Sequence, residues 1–427
     1  MNILVIGAAV SGRAAAELGR ARGHDIIVYD QSEAAIAGLD EAGFRTAHGE
    51  WDAGLLDGVD VVVTSPGVPE HAAPFADADK AGIVVWSELE FGSRHLTAPY
   101  VAVTGTNGKT TATTTTASML TDSGVKAVVA GNIGTPVSSI ADADLDVVVI
   151  EASSFQLRFI ETFHPVAAAI LNVAPDHLDW HGSHDAYVAA KARILENMGG
   201  DDVVVYDVDD PGAAAMAAAS GLTTIPVSGT RVPPGGAGVE GSTLLAGTDR
   251  HPMPTSDPSY AVDLGVSAVL AARVGATEAG ITKAIAAFTP GPHRREVVGE
   301  WDGVTWVDDS KATNPHAARA AASSYESVVL IAGGRNKGLD LGDLVAPSVR
   351  RVVAYGEAGS DIASATHVVS VVVSSFDDAV AEAALAAKPG DVVLLAPGCA
   401  SFDQFGSYGE RGERFAALAR NAAKVGK

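Results

Sequence analysis

The chain has 427 residues, of which 47% are hydrophobic and 19% charged, and a formal net charge of −23. At roughly 100–200 residues per domain this length allows two to four domains, and the composition excludes a disordered or low-complexity scaffold. The acidic balance disfavours nucleic acid and anionic membrane surfaces as partners, although helix N-termini and a few local cations can still hold a small anion such as a nucleotide.

The apolar start at residues 1–7 has no Lys or Arg before it and is interrupted by Gly7, so it reads as a strand entering a turn and not as a secretory leader. No later stretch approaches the ~18 apolar residues of a membrane span. The single cysteine, Cys399, cannot form an intramolecular disulfide, which removes any sign of an oxidising compartment. A cytoplasmic protein is expected.

Short β-branched runs then recur with Ala-rich helical stretches between them, the alternation of parallel α/β architecture. They fall into three groups: 3–6, 25–29 and 59–64; 100–103, 125–130, 146–150, 167–172 and 203–206; 303–307, 327–332, 352–355, 368–373 and 392–396. Helical patterning stops around 93–99, and Thr289-Pro290-Gly291-Pro292 is a stiff segment suited to a hinge. Three domains are expected, over residues 1–92, 93–289 and 290–427. Residues 229–258, rich in Gly, Pro, Ser and Thr, are expected to be loops and irregular strands.

The turn GAAVSG at 7–12 follows a strand and opens a helix, and Asp30 ends the next strand. Backbone amides at such a turn can meet a pyrophosphate, but Ala9 stands where the dinucleotide fingerprint G-x-G-x-x-G has its middle glycine. Dinucleotide binding, another nucleotide and a plain structural turn all remain open on these residues alone.

A second glycine loop, TGTNGKTT at 104–111, also joins a strand to a helical stretch. Its amides can cradle phosphates, Lys109 can reach the terminal oxygens as a point charge, and Thr110 can place a hydroxyl on Mg²⁺. The strict Walker spacing requires glycine where Val103 stands, yet phosphate binding is the expected role. Glu151 follows an apolar strand, where a carboxylate either holds Mg²⁺ or ends the strand harmlessly. His177, in the segment DHLD at 176–179, is by itself a loop histidine or a metal ligand, and Lys191 by itself is a solvated helical lysine.

Together these stretches resemble the Mur ligases over most of the chain. The resemblance rests on GTNGKT at 105–110, GNIG at 131–134, EASSFQL at 151–157, NVAPDHLD at 172–179, PHR at 292–294, DSKATN at 309–314 and CASFDQF at 399–405. Seven ordered matches are far more specific than any one. The resemblance implies a Rossmann-like N-terminal domain, a central P-loop-type ATPase domain with a mostly parallel sheet, and a C-terminal Rossmann-like α/β domain.

It also implies a ligase that transfers the γ-phosphoryl group of ATP to the carboxylate of UDP-N-acetylmuramoyl-L-alanine, after which the amine of D-glutamate attacks the acyl phosphate. By the same resemblance, Gly105, Thr106, Asn107, Gly108, Lys109, Thr110, Thr111, Arg294 and Asp309 bind ATP. Two Mg²⁺ sites are implied, with Thr110, Glu151, His177 and a carbamylated Lys191 as ligands. Lys109, Glu151, His177, Lys191 and Arg294 are the implied catalytic residues. Val10, Ser11, Asp30, Gln31, Gly67 and Asn132 match contacts to the UDP-muramoyl substrate, which leaves Ala9 no defect. Lys311, Thr313, Lys337, Ser401, Phe402 and Tyr408 match the D-glutamate pocket, with Lys337 the cation for a substrate carboxylate.

One departure stands out. The family places an Asn-x-x-Asn pair for adenine and ribose where this chain has Tyr260 and Asp263. An ionised Asp accepts hydrogen bonds but cannot donate to adenine N7. A monomer without nucleic-acid or membrane partners is expected. The competing readings are a variant ligase for L-glutamate or another amino acid, a non-catalytic nucleotide-binding regulator of the same fold, and an NAD-dependent oxidoreductase built on the first turn.

Overall fold

Apolar runs bounded by glycine turns form three sheets in the computed structural model, which describes residues 1–425. The first holds β1 (Asn2–Ile6), β2 (Asp25–Asp30), β3 (Arg45–His48), β4 (Val61–Thr64) and β5 (Val84–Ser87), all parallel, in the order β3-β2-β1-β4-β5. The chain winds outward from β1 in both directions, so the turns after β1 and β4 face each other at the reversal point where open α/β sheets place ligands.

The second sheet holds β6 (Tyr100–Thr104), β7 (Ala127–Gly131), β8 (Val147–Glu151), β9 (Ala167–Ile170), β10 (Val203–Asp207), β11 (Thr223–Ser228), β12 (Ala237–Glu240), β13 (Thr243–Ala246) and β14 (Asp249–Pro252). Its order is β14-β13-β12-β11-β10-β9-β6-β8-β7. Strand β6 sits between β9 and β8, again at a reversal point, and its C-terminal end opens the second glycine loop. Alternate side chains enter opposite cores, with Val101, Val103, Val147 and Val149 on one face and Ala102, Val148 and Ile150 on the other.

The third sheet comprises β15 (Glu296–Trp301), β16 (Val304–Asp308), β17 (Val328–Gly333), β18 (Val349–Tyr355), β19 (Ser370–Val373) and β20 (Val392–Gly398). Its order is β15-β16-β20-β17-β18-β19, parallel except for the β15–β16 hairpin. By compactness the described chain divides into two units, Met1–Val173 with Trp180–Phe288, and Ala174–Asp179 with the residues from Thr289 onward. No helix among the described residues is long and apolar enough to cross a membrane.

The mostly parallel α/β organisation matches the expectation from sequence, with local corrections. Strands β3, β5, β11 and β15 add to the expected set; they are short or carry no continuous apolar run. Residues 237–252 are not irregular: they form a regular antiparallel meander, β12-β13-β14, closed by Glu240↔Thr243 and Ala246↔Asp249 pairs. The glycines between these short strands mark tight hairpins, not the absence of strands.

The helix Lys109–Asp122 forms against local preference. Four of its central residues are threonines, which are stiff at χ1 and compete for backbone hydrogen bonds. Here the hydroxyls of Thr113, Thr114 and Thr116 donate to the carbonyls of Lys109, Thr110 and Ala112, four residues back, at 2.9, 2.7 and 2.7 Å. Packing against the helix Pro258–Arg273 stabilises it, and Ser267 Oγ joins the two by donating to Ala112 O at 2.9 Å.

At the first turn, a Cβ on Gly12 would stand 1.7 Å from Gly7 O. Gly12→Ala therefore forces the backbone of residues 7–12 apart; a loss of about 1–3 kcal/mol of stability is expected in chemical denaturation, as for other overpacked sites.

Candidate active site

The second glycine loop is gripped from three sides. From the end of β9, Asn172 accepts from Thr106 N through its carbonyl at 2.9 Å and from Asn107 N through its side chain at 2.8 Å. From the helix His184–Ala192, Tyr187 OH meets Thr106 Oγ1 at 2.9 Å, and buried Lys191 donates from Nζ to Gly105 O at 2.8 Å. From the helix Pro258–Arg273, Asp263 lies against Gly108, where a Cβ would stand 2.4 Å from its Oδ1. Gly108 has φ +86°, a left-handed conformation that glycine adopts freely, and it caps the helix Lys109–Asp122. Lys109 folds back, donating from Nζ to Gly105 O at 2.7 Å and Thr106 O at 3.0 Å. Thr111 is buried beneath the loop.

Glu151, at the end of β8, is buried and placed beside this loop. Its Oε2 accepts from Thr110 Oγ1 at 2.9 Å and its Oε1 from Asn132 Nδ2 at 2.8 Å. A buried carboxylate and the half-buried hydroxyl beside it are hard oxygen donors of the kind that suit Mg²⁺. Lys191 does not fit a metal as a plain amine, since its Nζ is spent on Gly105 O and lies 4.6 Å from the Tyr187 ring centre.

In the first sheet, Asp30 accepts from Ala8 N at 2.8 Å and from Ser32 N at 2.9 Å, so its carboxylate braces the turn after β1. Val10 (70% exposed), Ser11, Gln31 and Gly67 follow the C-terminal ends of β1, β2 and β4, with Ser65 Oγ tied to Gly7 O at 3.2 Å. Asn132 lies in the segment after β7.

In the second unit, the segments after β16, β17 and β20 meet at adjacent strand ends. Arg335 and Ala400 exchange backbone hydrogen bonds at 2.8 and 3.0 Å, which brings Lys337 and Ser401 into neighbouring segments. Lys311 Nζ lies 3.9 Å from the ring centre of Tyr408, whose carbonyl accepts from Ser310 Oγ at 2.8 Å. Thr313 follows in the same segment, Ser401 is buried and Phe402 is 63% exposed.

Two residues given no role from sequence organise this unit. Asp176 accepts from Lys337 Nζ at 2.5 Å, Asn314 Nδ2 at 3.2 Å and His177 N at 2.9 Å. Burial raises its carboxyl, but the charges of Lys337 and His177 outweigh that and hold it below the usual range. His177 itself has φ +53° and stands with Nε2 3.7 Å from Asp176 Oδ2. Arg411 is wholly buried and donates to Ser310 Oγ and Ser310 O, both at 2.9 Å, and to Cys399 O at 3.2 Å. It thereby fixes the two segments that flank the pocket, and only the fold brings it to them. Asp309 is buried beside Arg295, 3.9 Å away. Burial pushes its carboxyl up to about 6, with the charges of Arg295 and Arg294 pulling it down.

Comparison with known proteins bears directly on this geometry. The Mur ligase middle domain matches residues 103–230, and the Mur ligase glutamate ligase domain matches residues 293–399. UDP-N-acetylmuramoylalanine–D-glutamate ligase of Frankia casuarinae is 42% identical over 455 residues, covering 98% of this chain and 94% of that protein. The enzyme of the same name from Shouchella clausii is 39% identical over 431 residues, covering 97% and 95%. Among solved structures, the MurF ligase of Thermotoga maritima in complex with ADP aligns with a TM-score of 0.62 at 15% identity, covering 94% of this chain and 96% of that one. The UDP-N-acetylmuramate-alanine ligase MurC of the same organism aligns at 0.57 and 17% identity, covering 99% and 100%. These two show a shared fold.

Because Asp309 keeps its proton in the folded chain up to about pH 6 and in the unfolded chain only to about 3.8, the folded state loses stability as pH rises between those values. An asparagine at this position does not titrate. Asp309→Asn should therefore gain on the wild type between about pH 4 and 6 by about 2–3 kcal/mol and hold that gain above, in unfolding titrations across pH.

Proposed function

The chain belongs to the Mur ligases, and within them to the UDP-N-acetylmuramoylalanine–D-glutamate ligases, and from this we propose how its residues carry out the reaction. It is an ATP-dependent amide ligase that adds D-glutamate to UDP-N-acetylmuramoyl-L-alanine in peptidoglycan precursor synthesis. The observation that carries the residue assignments is the convergence of Lys109, Thr110, Asn132 and Glu151 around one glycine loop.

A carboxylate is a poor acylating agent until its oxygen becomes part of a phosphate leaving group. The γ-phosphoryl of ATP must therefore pass to the substrate carboxylate, and two anions must meet. Residues 105–111 offer backbone amides and a helix N-terminus to the phosphates. Lys109 exchanges its two loop carbonyls for phosphate oxygens, and Arg294 adds a second cation for the charge that develops in transfer. Thr110, Glu151, His177 and Lys191 as its carbamate are the residues that would hold two Mg²⁺, which when bound neutralise phosphate charge as Lewis acids. Asp309 completes the nucleotide contacts.

Val10, Ser11, Asp30, Gln31, Gly67 and Asn132 hold the UDP-muramoyl substrate. Lys311, Thr313, Lys337, Ser401, Phe402 and Tyr408 receive D-glutamate, with Lys337 leaving Asp176 for a substrate carboxylate. The amine nitrogen attacks the acyl carbon, the C–N bond forms, the C–O bond to phosphate breaks, and the proton shed by the amine passes to the departing phosphate. ADP, phosphate and a new amide result. The domains divide at 92/93 and 289/290, and the enzyme works as a cytoplasmic monomer.

Phosphate release should require the muramoyl nucleotide and D-glutamate together; an equal rate with L-glutamate would replace this reading with the variant ligase. Lys109→Ala is expected to lower kcat/KM by about a hundredfold or more, the loss typical of a preorganised charge at a transition state. Isotopically labelled bicarbonate should yield a carbamate signal by NMR that vanishes in Lys191→Arg, and its absence from the wild type would remove Lys191 from the metal ligands.

A further inference from the structure

Glu88 opens the short helix Glu88–Ser93, and no part of it reaches solvent. Its Oε1 accepts from Ser138 N at 2.7 Å. Its Oε2 is buried with no hydrogen-bond partner, and so is Ser138 Oγ. The two backbones are unusually close: a Cβ on Gly92 would stand 2.6 Å from Ser138 N and 2.8 Å from the carbonyl carbon of Val137. Glycine is what lets the helix lie against this turn.

The turn ends the segment 131–138. The other end is held by Glu151, which accepts from Asn132 Nδ2 through Oε1 and from Asn132 N through its carbonyl, both at 2.8 Å. Between these anchors the segment closes on itself, with Gly131 N donating to Thr135 O at 3.0 Å. The segment carrying Asn132 thus has a buried glutamate near each end.

We propose that Glu88 is a positioning residue for the muramoyl substrate, anchoring the far end of segment 131–138 through Ser138 so that Asn132 keeps its place beside Glu151. This rests on the assignment of Asn132 to that substrate.

Burial pushes the Glu88 carboxyl up to about 7, with the Ser138 contacts pulling it down. The charged groups on neighbouring elements are engaged elsewhere. On the helix Val10–Ala21, Arg13 lies against Gly38, Glu17 is exposed and Arg20 sits 3.8 Å over the Phe44 ring. Arg22 pairs with Asp142 at 2.6 Å, and His95 packs edge-on against Phe91. On Glu88's own helix, Glu90 accepts from the amides of Glu161, Thr162 and Phe163 and from Arg94. Strands β4 and β5, the turn Val137–Ile140 and the helix Ser154–Leu157 carry no ionisable side chain. Ser138 N donates to Oε1 in either protonation state, and more strongly to the carboxylate, so the contact that holds segment 131–138 does not depend on the proton.

The test compares wild type, Glu88→Gln and Glu88→Ala by KM for each substrate across pH and by Tm across pH. Glu88→Gln, which keeps an acceptor for Ser138 N, should leave the KM for the muramoyl nucleotide within about twofold of wild type. Glu88→Ala, which orphans Ser138 N, should raise that KM about tenfold at every pH, the equivalent of one lost hydrogen bond, with the KM for D-glutamate changed less than about twofold. Since the carboxyl is raised above its unfolded value of 4.5 to about 7, the wild-type Tm should fall relative to Glu88→Gln between those pH values and run parallel above them. A muramoyl KM raised as much in Glu88→Gln as in Glu88→Ala, or equal KM changes for all three substrates in Glu88→Ala, would overturn the proposal. Asn132→Ala separates the two assignments: an unchanged muramoyl KM there removes Asn132 from the substrate, whereas the Tm comparison reads Glu88 alone.

Discussion

The buried carboxylate of Glu151 is the interaction on which the first unit's site depends. It joins the phosphate loop, through Thr110, to the segment carrying Asn132, and it does so from the rigid end of a central parallel strand. An ionisable group in such a place is retained only if its oxygens are satisfied, and both are. The cost of burying it is offset by making two otherwise separate segments share one reference point. The strands supply the precision: β6, β8 and β9 are adjacent, so the loop after β6, Glu151 after β8 and Asn172 after β9 converge without long connections.

The same logic recurs in the second unit with the signs rearranged. Buried Arg411 donates to neutral acceptors on Ser310, Cys399 and Tyr355, and so fixes the walls of a pocket without cancelling the charges on Lys311 and Lys337. Asp176 occupies Lys337 in the free chain, so the cation is neutralised by the protein itself. Against the net charge of −23, Lys109 and the helix N-terminus after Gly108 supply local positive character in the first unit, and Lys311 and Lys337 in the second, each beside acids such as Glu151 and Asp176.

What was legible in the sequence followed from chemistry that is local. A glycine-rich turn between an apolar strand and a helix announces a phosphate loop, because only glycine takes the left-handed Gly108 geometry easily. Parallel strands buried on both faces are continuous apolar runs, and those were readable. Short edge strands such as β3 and β5, and the polar meander β12–β14, were not, because half-exposed pairing depends on a neighbour and not on composition.

By itself the sequence determined the α/β class, the two glycine turns, the family of enzymes and the residues whose types suit phosphate, metal and carboxylate. Only the tertiary structure decided that Arg411 and Asp176 organise one site, that Lys191 is buried against Gly105 rather than solvated, and that Glu88 reaches Ser138. Each of these depends on contacts between residues apart in the chain. Such contacts leave no periodicity or spacing to read, since burial and a hydrogen-bond partner are properties of the packed fold.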